Sequence, residues 1–166
     1  MVIARNQVVG IVAAVVLIVA AITGVLLVGE RGTHSSPEEV VRSYMIAVYE
    51  EGDASQYLGL IYPKDMDQLE AQYGIGKDEM QVGLQDSLDG FHTQLASEGA
   101  SLAWAVGNTT AQNTTAETTV TLKFSHPVYG DEEHTEKVPT LEREGRWYLK
   151  AELLESFLQW FVSLQE

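Results

Sequence analysis

Residues 116–124 read AETTVTLKF, and their period is two. Ala116, Thr118, Val120, Leu122 and Phe124 fall on one side, Glu117, Thr119, Thr121 and Lys123 on the other. Successive side chains of a strand point to opposite faces, so the spacing predicts a half-buried antiparallel strand with one dry and one wet face. A helix at 3.6 residues per turn would scatter the same residues around its cylinder.

The same period holds on either side of this stretch. Leu102, Trp104 and Val106 alternate with small residues, and the Thr- and Asn-rich run after them predicts a turn. Pro127 and Gly130 mark a turn or longer loop over His126–Asp131. Glu133–Arg143 reads as a polar third strand whose register stays open, with Pro139 placing it at an edge or a bulge. Glu144-Gly145 is a tight turn, and Arg146–Lys150 a fourth strand with Trp147 and Leu149 inward.

Upstream the period is 3.6. Ser36-Pro37-Glu38-Glu39 is a capping box with proline at the first helical position, opening a helix to about Glu51. Val41, Tyr44 and Val48 form its buried face, and Gly52 ends it. Asp53-Ala54-Ser55-Gln56 caps a second helix, with Tyr57, Leu58, Leu60 and Ile61 apolar and Pro63 as its stop. Lys64–Tyr73 reads as a further short helix, broken by Gly74-Ile75-Gly76. That glycine pair is no phosphate loop, because it lacks the preceding strand and the third glycine. Lys77–Ser97 is a long amphipathic helix with Met80, Leu84, Leu88, Phe91 and Leu95 on one stripe, ended by Gly99. Ala151–Glu166 returns to helical spacing through Leu153, Phe157, Phe161 and Leu164.

Ahead of all this stands Val8–Val28, VVGIVAAVVLIVAAITGVLLV, uncharged and with Thr23 as its only polar side chain. About 20 apolar residues span a bilayer as a helix. Fourteen of these 21 are Val, Ile or Leu, which favours insertion by about 4–8 kcal/mol. The run is longer than a signal-peptide core and lacks a good cleavage site, so it reads as an uncleaved signal anchor. Gly10/Ala14 and Ala20/Gly24 are small-xxx-small pairs that would let two anchors approach. Arg5 is the one charged side chain before the span, so with a net charge of −14 the residues beyond it carry −15, which predicts a short cytoplasmic end at 1–7. The expected layout is cytoplasmic 1–7, transmembrane 8–28, linker 29–35 and one extracytoplasmic domain at 36–166, held single-pass at the cell membrane.

The acidity (pI ≈ 4.5) excludes nucleic acid as a partner. The lack of cysteine excludes disulfides, thiolate metal sites, thiol chemistry and a lipidated cysteine. The fold class expected is therefore α+β: helices packed on a curved antiparallel sheet of about four strands, with an N-terminal transmembrane helix and a C-terminal helix.

Three stretches, Ser36–Asp53 (SPEEVVRSYMIAVYEEGD), AETTVTLKF at 116–124 and VPTLEREGRWYLK at 138–150, resemble the nuclear-transport-factor-2-like superfamily. The closest likeness is to its small extracytoplasmic members of unknown function. The pattern is a capped first helix ending in Gly-Asp, a long alternating strand, and a final pair of strands turning on an acidic-Gly-x-Trp segment, here Glu144-Gly145-Arg146-Trp147. The chain departs from it in having an anchor helix and a helical tail after the last strand.

The resemblance implies a cone with a pocket between sheet and helices, for which Tyr44, Tyr57, Trp104, Phe124 and Trp147 are the candidate lining residues. It is compatible with a non-catalytic binding module or with a small-molecule isomerase or dehydratase. The second needs a pocket acid or base beside an oxyanion donor. No Asp or Glu can be assigned to an inward strand position, so no catalytic residue is named and the binding module is preferred. His126, Asp131, Glu132, Glu133, His134 and Glu136 cluster, but their spacing matches no metal-binding loop, and no metal or cofactor is expected. His34, in the linker, and His92, on the polar side of its helix, are given no role. Asn108 and Asn113 head two N-glycosylation sequons in the expected turn. The expected partners are the membrane through Val8–Val28, a second copy of the chain, and a small apolar ligand.

Overall fold

The computed structural model describes residues 34–155. The expected anchor at 8–28 and the tail beyond Glu155 lie outside the described residues. Among the described residues no helix is long and apolar enough to cross a membrane. What is described is an α+β domain: four helices, then a four-stranded antiparallel meander in the order β1-β2-β3-β4.

Helix α1 (Pro37–Met45) starts where its capping box sits. The Ser36 hydroxyl accepts from the Glu39 amide at 3.2 Å, and the Glu39 carboxylate takes the Ser35 hydroxyl. The helix does not run unchanged to Glu51. Ile46–Glu50 is a π-helical turn, closed by the Glu51 amide donating to the Ile46 carbonyl at 2.9 Å. The wider turn shifts the side-chain phase, so Met45, Ala47, Val48 and Tyr49 are all buried. Gly52 then takes φ +61°. The positive φ favours glycine, and a Cβ there would press the His92 ring at 3.2 Å.

Helix α2 (Ala54–Gly59) is capped by Asp53, whose carboxylate accepts from the Gln56 amide at 2.9 Å. Pro63 does more than stop it. It is the first residue of α3 (Pro63–Tyr73), a position where its missing N–H costs nothing. Helix α4 (Lys77–Glu98) ends at Gly99 with φ +63°. Two polar residues of α4 clamp the α1–α2 corner. The Gln85 side chain donates to the Gly52 carbonyl at 2.6 Å and accepts from the Ala54 amide at 3.1 Å. His92 is half-buried, with Nε2 3.1 Å from the Val48 carbonyl, and so belongs to this corner rather than to an outer polar face.

The sheet comprises β1 (Ser101–Gln112), β2 (Thr115–His126), β3 (Gly130–Arg143) and β4 (Arg146–Leu149). On β2 the expected face is dry: Ala116, Thr118, Val120 and Leu122 are buried. The Thr118 hydroxyl is satisfied by Thr109 at 2.9 Å. The turn expected over the Thr/Asn run is shorter than its composition suggests. β1 continues to Gln112 across a bulge between Val106 and Thr109, because β2 offers a ladder that far. Only Asn113-Thr114 turns, with Asn113 at φ +55°. Pro139 is internal to β3. Its carbonyl accepts from the Lys150 amide at 3.2 Å, so its missing N–H falls at the very end of the β3–β4 ladder, where only the one reciprocal bond is forgone. Glu144 and Gly145, both at positive φ, make the last hairpin.

Helix α1 crosses the dry face of all four strands. The core holds Val40, Val41 and Met45 of α1, Val120 and Leu122 of β2, Val138 of β3 and Leu149 of β4. His34, expected to be a linker residue, docks on β4: its carbonyl accepts from the Trp147 amide at 2.9 Å and its ring meets Tyr148 at 4.8 Å. Leu154 is fully buried, and residues 152–155 are helical.

Asp53→Ala is expected to cost about 1 kcal/mol in urea denaturation at pH 7. The Gln56 amide and side chain hold the Asp53 carboxyl below its ordinary value. This contribution is therefore present above the unfolded value and is lost as pH falls through the folded one, so wild-type and variant stabilities should converge in acid.

Candidate functional site

The register fixes which side chains share the dry face. Trp104 pairs with Leu122 and Leu122 with His134; Val106 pairs with Val120 and Val120 with Glu136; Leu102 pairs with Phe124 and Phe124 with Glu132. Over this stretch the helix-facing side of β1 and β2 is thus apolar, and the same side of β3 is a ladder of Glu132, His134 and Glu136. Only beyond it does β3 turn apolar, at Val138. Trp104, Val106, Phe124 and Glu136 are half-buried, so this part of the face is incompletely covered.

Tyr44 of α1 meets the face from the helical side. Its ring lies 5.2 Å from Tyr57 and 6.0 Å from Tyr49, and its hydroxyl is 3.5 Å from that of Tyr49. Burial raises the Tyr44 phenol well above its ordinary value, and Tyr49 and Glu136 add to the effect. Burial does the same to Tyr57. It also raises the Glu136 carboxyl, against the pull of His134. Glu136 therefore couples electrostatically to Tyr44 on one side and to His134 on the other. The Trp104 indole N–H is buried and has no acceptor among the described residues.

Toward one end the face opens into a groove of about 670 Å³ between the end of α4 and the sheet. Leu95, Leu102 and Phe124 give it apolar walls beside the His92 ring, and Asp131, Glu132 and Glu133, with Lys123 among them, a rim of net negative charge. Beside it, His126 holds the β2–β3 hairpin. Its Nδ1 accepts from the amides of Val128 and Tyr129 at 3.0 and 3.2 Å, and its Nε2 lies 3.3 Å from the Glu98 carboxylate. Nδ1 is thus an acceptor, which places the ring proton on Nε2, facing Glu98. Val128 and Tyr129 themselves are 77% and 64% exposed.

The five residues expected to line one pocket are divided among three places. Tyr44 of α1 and Tyr57 of α2 meet with tilted rings, Trp104 and Phe124 lie on the open part of the sheet, and Trp147 is at its far end. Phe124 pairs with Glu132 and Trp147 with Glu142, ten residues on along β3, or about 33 Å. Trp147 and Phe124 cannot touch one small ligand. Asn113 is exposed in the turn, as expected; Asn108 is exposed but sits in the β1 bulge. Of the acidic cluster, His126 pairs with Glu98, and among the described residues no group of three acidic or imidazole side chains could hold a metal ion.

Glu136 is the residue that the open register of β3 concealed. Val138, the lone aliphatic residue at 130–140, is the signal that would have found it: if Val138 faces inward, so do 136, 134 and 132.

No family model matches the chain, and no curated protein matches it. Solved structures similar to it include the following three. One is a SEC-C motif containing protein from Rhodopseudomonas palustris, at 17% identity over 72% of this chain and 78% of that one, TM-score 0.47. Another, described as an NTF2-like transpeptidase, is from Campylobacter jejuni, at 13% identity over 70% and 98%, TM-score 0.48. The third is the intermembrane space region of the chloroplast protein ARC6, at 12% identity over 72% and 94%, TM-score 0.26. The fold assignment rests on the helices and sheet themselves.

Glu136→Gln is expected to raise the thermal midpoint at pH 7. A carboxyl with a raised folded pKa contributes its full stability only below the unfolded value, near 4.5, and loses it as pH rises through the folded one. The gain should shrink to nothing in melts below pH 4.

Proposed function

We propose that this chain is a membrane-tethered, extracytoplasmic binding module of NTF2-like type, without catalysis, whose working surface is the open part of the concave face. The observation that carries the binding reading is the half-buried aromatic floor of Trp104 and Phe124 running into the groove beside Leu95. A soluble domain gains by covering such side chains, and leaving them half-open suits a surface that is completed by a ligand. The groove has the volume of a small-molecule cleft. Its acidic rim selects for a ligand with an apolar body and a cationic or hydrogen-bond-donating end. The tether rests on the uncharged run at 8–28 and on the acidity beyond it.

One observation favours the alternative, an isomerase or dehydratase: Glu136, with its raised carboxyl, lies near the Tyr44 phenol. The Tyr44 hydroxyl already has Tyr49 as a neighbour, and the groove that would admit a substrate is lined by residues of the α4 end instead.

Two measurements test the proposal. The full chain, expressed in a bacterium, should sediment with membranes through carbonate and high-salt washes and be released only by detergent. A chain recovered intact in the soluble cytosolic fraction would remove the tether. Native mass spectrometry of the full chain from detergent should then show a retained small molecule that Phe124→Ser loses at least tenfold, while Glu136→Gln and Tyr44→Phe keep it. Equal occupancy in wild type and Phe124→Ser, or no retained mass at all, would overturn the binding reading.

A further inference from the structure

The edges of this sheet are treated unequally. The outer edge of β4 is closed by backbone: the amides of Trp147 and Leu149 donate to the carbonyls of His34 and Leu60, each at 2.9 Å. The part of β3 that β4 does not reach, from Gly130 to Val138, carries Asp131, Glu132, Glu133, Glu136 and Lys137. Charges along an edge deter another strand from pairing there. β1 has neither protection. Its twelve residues, SLAWAVGNTTAQ, contain no charge and no proline, and among the described residues its ladder runs to β2 alone. Its one irregularity is the bulge between Val106 and Thr109, which leaves Ser101–Val106 regular.

We propose that Ser101–Val106 pairs antiparallel with the same segment of a second copy, joining two four-stranded sheets across a two-fold axis. Ser101, Leu102 and Ala103 also line the groove, but the pairing is argued from the backbone edge and its charge and not from a ligand in the groove. Three observations select a second copy as the occupant. A strand lying antiparallel to itself is self-complementary, so one undefended edge serves both partners. The chain carries −14, so most approaches of two copies bring like charges together, whereas β1 is uncharged. The nearest charges behind it cancel: Lys123, the β2 neighbour of Ala103, is paired with Glu133 at 3.1 Å. The outward side chains of the segment, Ala103 and Ala105, are small and leave room for the neighbouring strand.

The chain has no cysteine, so any introduced one reports only on contact between copies. Ala103→Cys and Ala105→Cys are made separately in the full chain, with Val82→Cys, 62% exposed on α4, as the control. In detergent under mild oxidation, at least one β1 variant should form a disulfide-linked dimer ten or more times faster than Val82→Cys. Added salt should strengthen the association by screening the net repulsion. Ala105→Lys places a charge on the edge at an exposed position, and it should abolish the dimer measured by analytical ultracentrifugation while leaving the thermal midpoint within a few degrees. Equal cross-linking at positions 103, 105 and 82 would overturn the proposal. So would a wild type that is monomeric at every concentration, or a dimer that Ala105→Lys leaves intact, which would place the contact elsewhere, the anchor included.

Discussion

A sheet with one dry face must be covered, and α1 is what covers it. Its helix crosses all four strands, and Val40, Val41 and Met45 are excluded from water against Val120, Leu122, Val138 and Leu149. Everything else in the fold holds this helix at the right height. The π-helical turn lets the chain bury Ala47, Val48 and Tyr49 in succession before it reverses at Gly52. Gln85 and His92 then satisfy the backbone groups that the reversal leaves open, which ties the corner to α4. A buried backbone carbonyl without a partner costs about 1–3 kcal/mol, so these contacts are structural requirements and not decoration.

The cover is incomplete over half of β3. There the inward positions are Glu132, His134 and Glu136 instead of aliphatic residues, and β4 is too short to shield them. A carboxyl in that place is held partly out of water, which raises its proton affinity and costs stability at neutral pH. The aromatic residues beside it, Trp104 and Phe124, are left half-open. A domain whose sole demand was stability would fill this region with aliphatic side chains. The local rule is broken where the proposed binding surface lies, which is where such departures are expected.

The edges follow the same economy. Backbone closure at β4 and charge along β3 are two different solutions to one hazard, the unpaired ladder. The bulge in β1 divides that strand and twists its far half. Gly107 sits at the bulge, where a Cβ would come 3.4 Å from the Thr119 carbonyl.

The sequence by itself determined what depends on near neighbours. The caps at Ser36 and Asp53, the left-handed glycines at 52, 74 and 99, and the alternation of β2 are all local and could be read directly. So could the order of helices before strands. Tertiary structure decided what depends on partners far along the chain. β1 runs through a Thr/Asn segment that reads as turn because β2 supplies its hydrogen bonds. The register of β3 is set by its pairing with β2, and with it the inward placing of Glu136. His92 reaches a carbonyl 44 residues away and His34 one 113 residues away, which no local pattern encodes. Period and capping are properties of a segment. Which face a polar strand buries, and which histidine finds a carbonyl, are properties of the assembled packing.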